Sequence, residues 1–167
     1  PYRGPGATLL DIGGGVGAID QAFLAAGASR AVLVDGSSAY QAAAREVAEQ
    51  ARTTDRMEFV QGDFVRHAPD VEAADVVTLD RVICCYADMA ALVGRSATLA
   101  RRRYGLVYPR DSWLSRIGVR LENAWLRLTR SSFRTYVHRT ADVDAILAAH
   151  GLVKRLHRTT LIWQLAI

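Results

Sequence analysis

An apolar run that ends in an acid and then breaks into glycines is the strongest constraint on this chain. The stretch is Thr8-Leu-Leu-Asp11-Ile-Gly13-Gly14-Gly15-Val-Gly17, and a helical pattern begins at Ala18. It predicts a strand over Thr8–Ile12, a tight turn and a helix N-terminus. Backbone N–H groups in such a turn approach a ligand with no side chain in the way. Asp11 sets the character of that ligand. A carboxylate stands where a dinucleotide site would hold a pyrophosphate, so positive charge or hydroxyls are expected there.

The pattern then alternates. Further strands are expected near Ala31–Val34, Met57–Val60, Ala74–Leu79 and Gly105–Tyr108, with helices between them. The first helix places Ile19, Ala22, Phe23 and Ala26 on one face and stops at Gly27. Ser38 is expected to cap the second, which carries Tyr40, Ala43, Ala44 and Val47. Asp88 is expected to cap a helix bearing Met89, Leu92, Val93 and Leu99. Ser112–Arg130 reads as a long amphipathic helix. Leu114, Ile117, Leu121, Ala124, Trp125 and Leu128 share one arc, opposite Arg116, Arg120, Asn123, Arg127 and Arg130. Thr140 is expected to open a short helix ending before Gly151. Leu152–His157 and Leu161–Ile167 close the chain as a hairpin across Arg158-Thr159-Thr160. Strands alternating with helices predict a parallel α/β sheet in one domain, residues 1–167.

No apolar run approaches the ~20 residues of a membrane span. The adjacent Cys84 and Cys85 do not make a disulfide scaffold, and with four scattered histidines they make no zinc site. A reducing cytoplasm follows as the expected compartment. The net charge is +4, and Lys154 is the only lysine. So much Arg and Ala reads as the coding bias of a GC-rich bacterial genome. This modest charge alone does not imply a nucleic-acid partner, and none is expected.

Four acidic signals stand at the carboxyl ends of expected parallel strands: Asp11, Asp35-Gly36, Gly62-Asp63 and Asp80. Ligands of open α/β sheets sit at that edge. In these motifs the chain resembles the class I S-adenosylmethionine-dependent methyltransferases, over about Ala7 to Ile167. The resemblance implies a Rossmann-like fold. Its sheet has seven mostly parallel strands, an antiparallel C-terminal strand and helices on both faces. It implies methyl transfer from S-adenosylmethionine to a small-molecule acceptor. Asp11, Gly13, Gly14 and Gly15 match the loop under the methionine part. Asp35, with Gly36, matches the acceptor of both ribose hydroxyls. Asp63, after Gly62, matches the reader of the adenine amino group, with Phe64 beside the ring. Asp80 matches the loop facing the transferable methyl. The family also builds a lid upstream of the first strand. This chain enters that strand by Thr8 with no initiator Met, so further sequence upstream is expected.

Two other classes stay open on the residues. Gly13-x-Gly15-x-x-Ala18 with Asp35 fits a loose NAD(P)-dependent oxidoreductase fingerprint. Against it, Asp11 would face a pyrophosphate and no Tyr-x-x-x-Lys pair is present. The other is a catalytically inactive binding module that uses its Arg stripe for a partner. On the acceptor side, His138, Tyr86 and Arg110 are the candidate catalytic or positioning residues. His138 is the candidate base, because its ordinary pKa lies near neutrality, and its alternative is a surface strand histidine. Tyr86 and Tyr108 either line the pocket or belong to the core. Arg110 either grips an acceptor carboxylate or pairs with Asp111 or another acid. The Arg stripe reads first as a solvated face, next as a site for an acidic small molecule. A membrane or RNA contact comes last, for want of exposed aromatics interleaved with it. The long helix as a whole is expected on the acceptor side.

Overall fold

The computed structural model describes residues 6–67 and 70–167. Seven strands form one sheet: β1 (Thr8–Ile12), β2 (Arg30–Asp35), β3 (Met57–Gln61), β4 (Ala74–Asp80), β5 (Ala100–Pro109), β6 (His157–Thr159) and β7 (Trp163–Ala166). Their order is β3-β2-β1-β4-β5-β7-β6. The first five pair in parallel, whereas β7 runs antiparallel to both β5 and β6. The helices are α1 (Ala18–Ala25), α2 (Ser38–Ala51), α3 (Phe64–His67), α4 (Met89–Thr98), α5 (Trp113–Leu128) and α6 (Thr140–Ala149). The expected Rossmann-like sheet with an antiparallel end is therefore the observed one.

Neighbouring residues of β1 explain the three layers. Leu9 and Leu10 point to opposite faces, and both are fully buried. Leu9 joins Leu33, Leu24 of α1 and Ala44 and Ala48 of α2. Leu10 joins Val77, Leu106, Leu92 and Val93 of α4 and Val143 of α6. Strands buried on both faces are continuous apolar runs, which is why β1, β2 and β4 were legible. The chain leaves β1 toward β2 and β3, then returns to β4 on the other side. The carboxyl ends of β1 and β4 thus flank the switch point where such sheets bind ligands.

Several boundaries move. β5 starts at Ala100, five residues before the expected strand, because the exposed Arg101, Arg102 and Arg103 hide its first half. The α2 cap is Ser37, whose side chain accepts from the Tyr40 N–H. Asp35 decides this: its Oδ1 accepts from Ser37 N at 2.8 Å, an Asx turn that holds Ser37 extended before the helix. Asp88 caps α4 as expected, accepting from Ala91 N at 2.9 Å. The buried positions of α1 are Asp20 and Leu24, not Ala22 or Ala26. The closing hairpin turns later than expected, at 160–162, because Trp163 N bonds the Thr160 hydroxyl. No residue of α5 is buried.

Candidate active site

One cavity of about 1660 Å³ opens at the carboxyl ends of β1, β2, β3 and β4. Asp11, Gly13, Gly14, Gly15, Asp35, Gly36, Gly62, Asp63, Phe64, Asp80 and Tyr86 all line it. The sheet order brings together residues up to 75 positions apart, because each ends a strand or lies in the segment that follows one at the same edge of the sheet.

The glycine loop is built for close approach. Gly13 N donates to Val34 O at 2.7 Å, which ties the loop back onto β2. A Cβ on Gly14 would meet Asp11 Oδ2 at 2.7 Å and Leu33 at 3.0 Å. Gly15 is different: its φ of 57° favours glycine, and a Cβ there would meet nothing within 4 Å. A side chain at that point would only fill the cradle. Gly15 N donates to Asp35 Oδ2 at 3.0 Å. Both Asp35 oxygens thus accept one backbone N–H each, and each oxygen keeps a lone pair for a ligand hydroxyl.

Beneath the loop lie two acids rather than one. Asp11 and Asp20 are both buried. Asp11 Oδ1 accepts from the Thr78 hydroxyl at 2.6 Å. Asp11 Oδ2 and both Asp20 oxygens have no hydrogen-bond partner among the described residues. Burial, and next the facing Asp20 charge, hold the Asp11 carboxyl well above the usual range. Burial pushes Asp20 up to about 6. Two close carboxyls in low dielectric cannot both ionise, so the pair keeps a proton when no cation is near. Asp20 was missed in the sequence because an acid in the first turn of a helix ordinarily faces solvent.

On the opposite wall, Asp63 accepts from Val65 N at 2.9 Å and from the Tyr86 hydroxyl at 2.9 and 3.0 Å. Burial, with the Asp63 hydrogen bond behind it, pushes the Tyr86 phenol up to about 12. Asp80 is gripped side-on by Arg81, at 3.2 and 3.3 Å. Arg81 itself sits at φ 57°, a left-handed turn that throws the chain off β4. The following short helical turn, Ile83–Cys85, places Cys84 and Cys85 at the cavity with their sulfurs 3.8 Å apart. A hydrogen bond between the two thiols lowers the Cys85 thiol to about 7 and, with burial, drives the Cys84 thiol far upward.

His138 and Arg110 are not brought to the cavity. His138 Nε2 is engaged by Ile83 O at 2.8 Å and Tyr86 O at 3.1 Å. It is a half-buried clamp in an extended non-strand segment, neither a base in the cleft nor a surface strand histidine. Its ring stacks on Tyr136, whose N–H bonds Cys84 O at 2.8 Å. Arg110 donates to Thr160 O at 3.0 Å, while Asp111 takes Arg116. Tyr108 is core, at 1% exposure. The far wall is formed instead by Leu114, Ile117 and Leu121 of α5 with Phe133, Leu161 and Ile162. Glu122 and Tyr136 also reach it, and neither stood out in the sequence.

A family described as a methyltransferase domain matches residues 9–103. The chain belongs to the methyltransferase domain family. The match runs from β1 into β5 and so takes in every strand-end acid of the cavity. Among solved structures, the chain is similar to magnesium protoporphyrin IX methyltransferase from Synechocystis PCC 6803, determined with bound SAH. The TM-score is 0.78 at 22% identity, covering 97% of this chain and 73% of that one. It is also similar to an O-methyltransferase family protein from Burkholderia thailandensis: TM-score 0.74, 19% identity, covering 96% and 49%. A third is an O-methyltransferase family 2 protein from Planctomyces limnophilus in complex with apigenin: TM-score 0.73, 21% identity, covering 99% and 53%. The chain thus spans between about half and three quarters of these proteins. No curated protein matches its sequence.

Proposed function

We propose that this methyltransferase transfers a methyl group from S-adenosylmethionine to a small acceptor with an apolar body. One observation carries the reading. A single cavity joins a glycine loop and strand-end carboxylates on one side to an apolar wall on the other. The cofactor half fits the group. Asp11 Oδ2 is a buried acceptor in want of a donor, Asp35 keeps lone pairs for a diol, and Gly15 leaves its cradle open. Bound S-adenosylmethionine supplies an electrophilic methyl on a cationic sulfur, already a good leaving group.

The roles of the chain's own groups follow. Asp11 and the loop hold the ammonium end, and Asp35 holds the ribose. Asp63, oriented by Tyr86, takes the adenine amino group over Phe64. Asp80 faces the methionine part. Catalysis is then chiefly positioning, with the apolar wall excluding water from the methyl. Where the acceptor must lose a proton, Glu122 and Tyr136 are the groups at hand on that wall. Arg110, Arg116, Arg120 and Arg127 all lie outside the cavity lining, and Arg81 is already held by Asp80.

Among the described residues no helix is long and apolar enough to cross a membrane. The two free thiols favour a reducing compartment, and we assign the protein to the cytoplasm. The Arg- and Ala-rich composition fits a bacterial source.

Tyr86→Phe tests the adenine wall. Removing the hydroxyl that steadies Asp63 is expected to weaken S-adenosylhomocysteine binding by roughly three- to ten-fold, with folding little changed. Calorimetry reads this, and undiminished affinity would remove Tyr86 from the site. The activity is tested with methyl-labelled S-adenosylmethionine and the full chain, offered phenolic aromatics and, separately, sugars. Label is expected in the apolar phenols. Tight cofactor binding with no transfer to either class would make the protein a binding module instead.

A further inference from the structure

Leu114, Ile117 and Leu121 give α5 to the cavity wall, but Trp113, Trp125 and Leu128 of the same helix lie outside it, and methyl transfer leaves these three unexplained. A surface helix normally turns its apolar stripe to the core. Here Trp113 is 74% exposed, Leu121 68%, Trp125 66% and Leu128 79%. The half-buried positions of α5 are Ser115, Val119, Asn123 and Leu126. At the helical repeat they fall on the far side from Ile117, Leu121 and Leu128. The helix is therefore seated on its less apolar side. Polar contacts hold it that way round: the Asn123 amide bonds both Thr135 O, at 2.8 Å, and Thr135 N, at 3.0 Å, and Glu122 takes the Thr135 hydroxyl at 2.8 Å.

Arg116, Arg120 and Arg127 lie along one border of the outward stripe, between it and the seated side. All three are exposed; Arg116 is paired with Asp111, which leaves Arg120 and Arg127 to meet an anion. Leu161, Ile162 and Phe133, also exposed, belong to the cavity rim beside the stripe. The aromatics absent from a sequence-level reading of the Arg stripe are thus present on the surface, one Trp toward each end of the helix.

We propose that α5 is a docking face for an anionic lipid surface. Trp113, Trp125 and Leu128 enter the headgroup–acyl boundary while the flanking arginines engage the lipid phosphates. A helix with Arg on its polar side and Trp and Leu on the other matches that interface in both terms at once. Trp is favoured at the same depth. An antiparallel two-fold contact with a second copy would set the same arginine border against itself. Nucleic acid would leave the stripe uncovered.

Flotation of the full chain decides it, with vesicles of phosphatidylcholine alone and of phosphatidylcholine mixed with phosphatidylglycerol. The chain is expected to float with the mixed vesicles at low salt, to be released by added salt, and to ignore phosphatidylcholine alone. Arg120→Gln with Arg127→Gln should cost about thirty-fold in vesicle affinity, near five-fold per arginine. Trp125→Gln with Leu128→Gln should abolish flotation. None of the four residues lines the cavity, so both variants should bind S-adenosylhomocysteine like the wild type, which checks their folding. Quenching of wild-type tryptophan emission by brominated lipid gives a reading that needs no variant. No flotation and no quenching at low salt would overturn the proposal, and so would equal flotation of both double variants. A wild-type dimer in gel filtration that Trp125→Gln with Leu128→Gln makes monomeric would assign the stripe to a second copy.

Discussion

Asp35→Ala is expected to weaken S-adenosylmethionine binding by about ten-fold to a thousand-fold. Two ribose hydroxyls would donate to this carboxylate. A hydrogen bond to a charged group contributes roughly 1.5–3 kcal/mol, of which water recovers a part once the side chain is cut back. The structure adds a second effect. The same oxygens accept from Gly15 N and Ser37 N, so the substitution also frees the glycine loop and unlocks the turn that starts α2. A modest drop in the melting temperature of the cofactor-free protein should accompany the lost affinity. Asp35→Asn separates the two effects. Its single carbonyl oxygen can still hold one backbone N–H but cannot serve both hydroxyls as a charged acceptor. Calorimetry with S-adenosylhomocysteine, beside melting curves of the empty protein, gives both numbers. Wild-type affinity in Asp35→Ala would dismiss the ribose role.

Asp20→Asn is expected to stabilise the cofactor-free protein above pH 6 and to leave it unchanged near pH 4. Burial pushes the Asp20 carboxyl up to about 6 from an ordinary 3.8, and the Asp11 beside it is raised as well. The folded chain therefore keeps a proton that the unfolded chain gives up. Wild-type stability from this site is complete below about pH 4 and falls as pH rises through 6. By neutral pH the cost of Asp20 alone is about 3 kcal/mol. An Asn at this position carries no charge, and its amide can donate to the orphaned Asp11 Oδ2. The gain at pH 7.5 should raise the melting temperature by roughly 6–12 °C. Cofactor binding shifts the other way with pH. An ammonium favours the more ionised pair, so wild-type affinity should rise from pH 5 to pH 7 as Asp20 loses its proton. The titratable groups acting on the pair are each other and Asp80, and the Thr78 hydroxyl donates to Asp11. A melting temperature of the wild type that climbs with pH over 4–7, in step with Asp20→Asn, would contradict the shared proton.

Much of this molecule was readable because its cofactor edge is written in backbone terms. Apolar runs buried on both faces, each stopping at an acid or a Gly-acid pair, fix the strands, their parallel sense and the edge they share. The glycine spacing fixes the loop. What escaped was set by tertiary context. Asp20 reads as a solvated first-turn acid, and only the crossing of α1 over β1 puts it against Asp11. The α5 pattern gives its two faces correctly but not which one the domain uses, because Asn123 and Thr135 decide that through a contact twelve residues apart. His138 and Arg110 have the chemistry of site residues and spend it on the backbone carbonyls of Ile83, Tyr86 and Thr160. Loop carbonyls in need of donors are invisible to any residue pattern.

The central claim is that the cleft beside the glycine loop is made for a cation and a diol, not for a pyrophosphate. Calorimetric titration of the full chain with S-adenosylhomocysteine and, separately, with NAD tests it most directly. Saturable one-to-one binding of S-adenosylhomocysteine, lost in Asp35→Ala, with no heat from NAD, is the predicted result. Tight binding of NAD with no response to S-adenosylhomocysteine would contradict it.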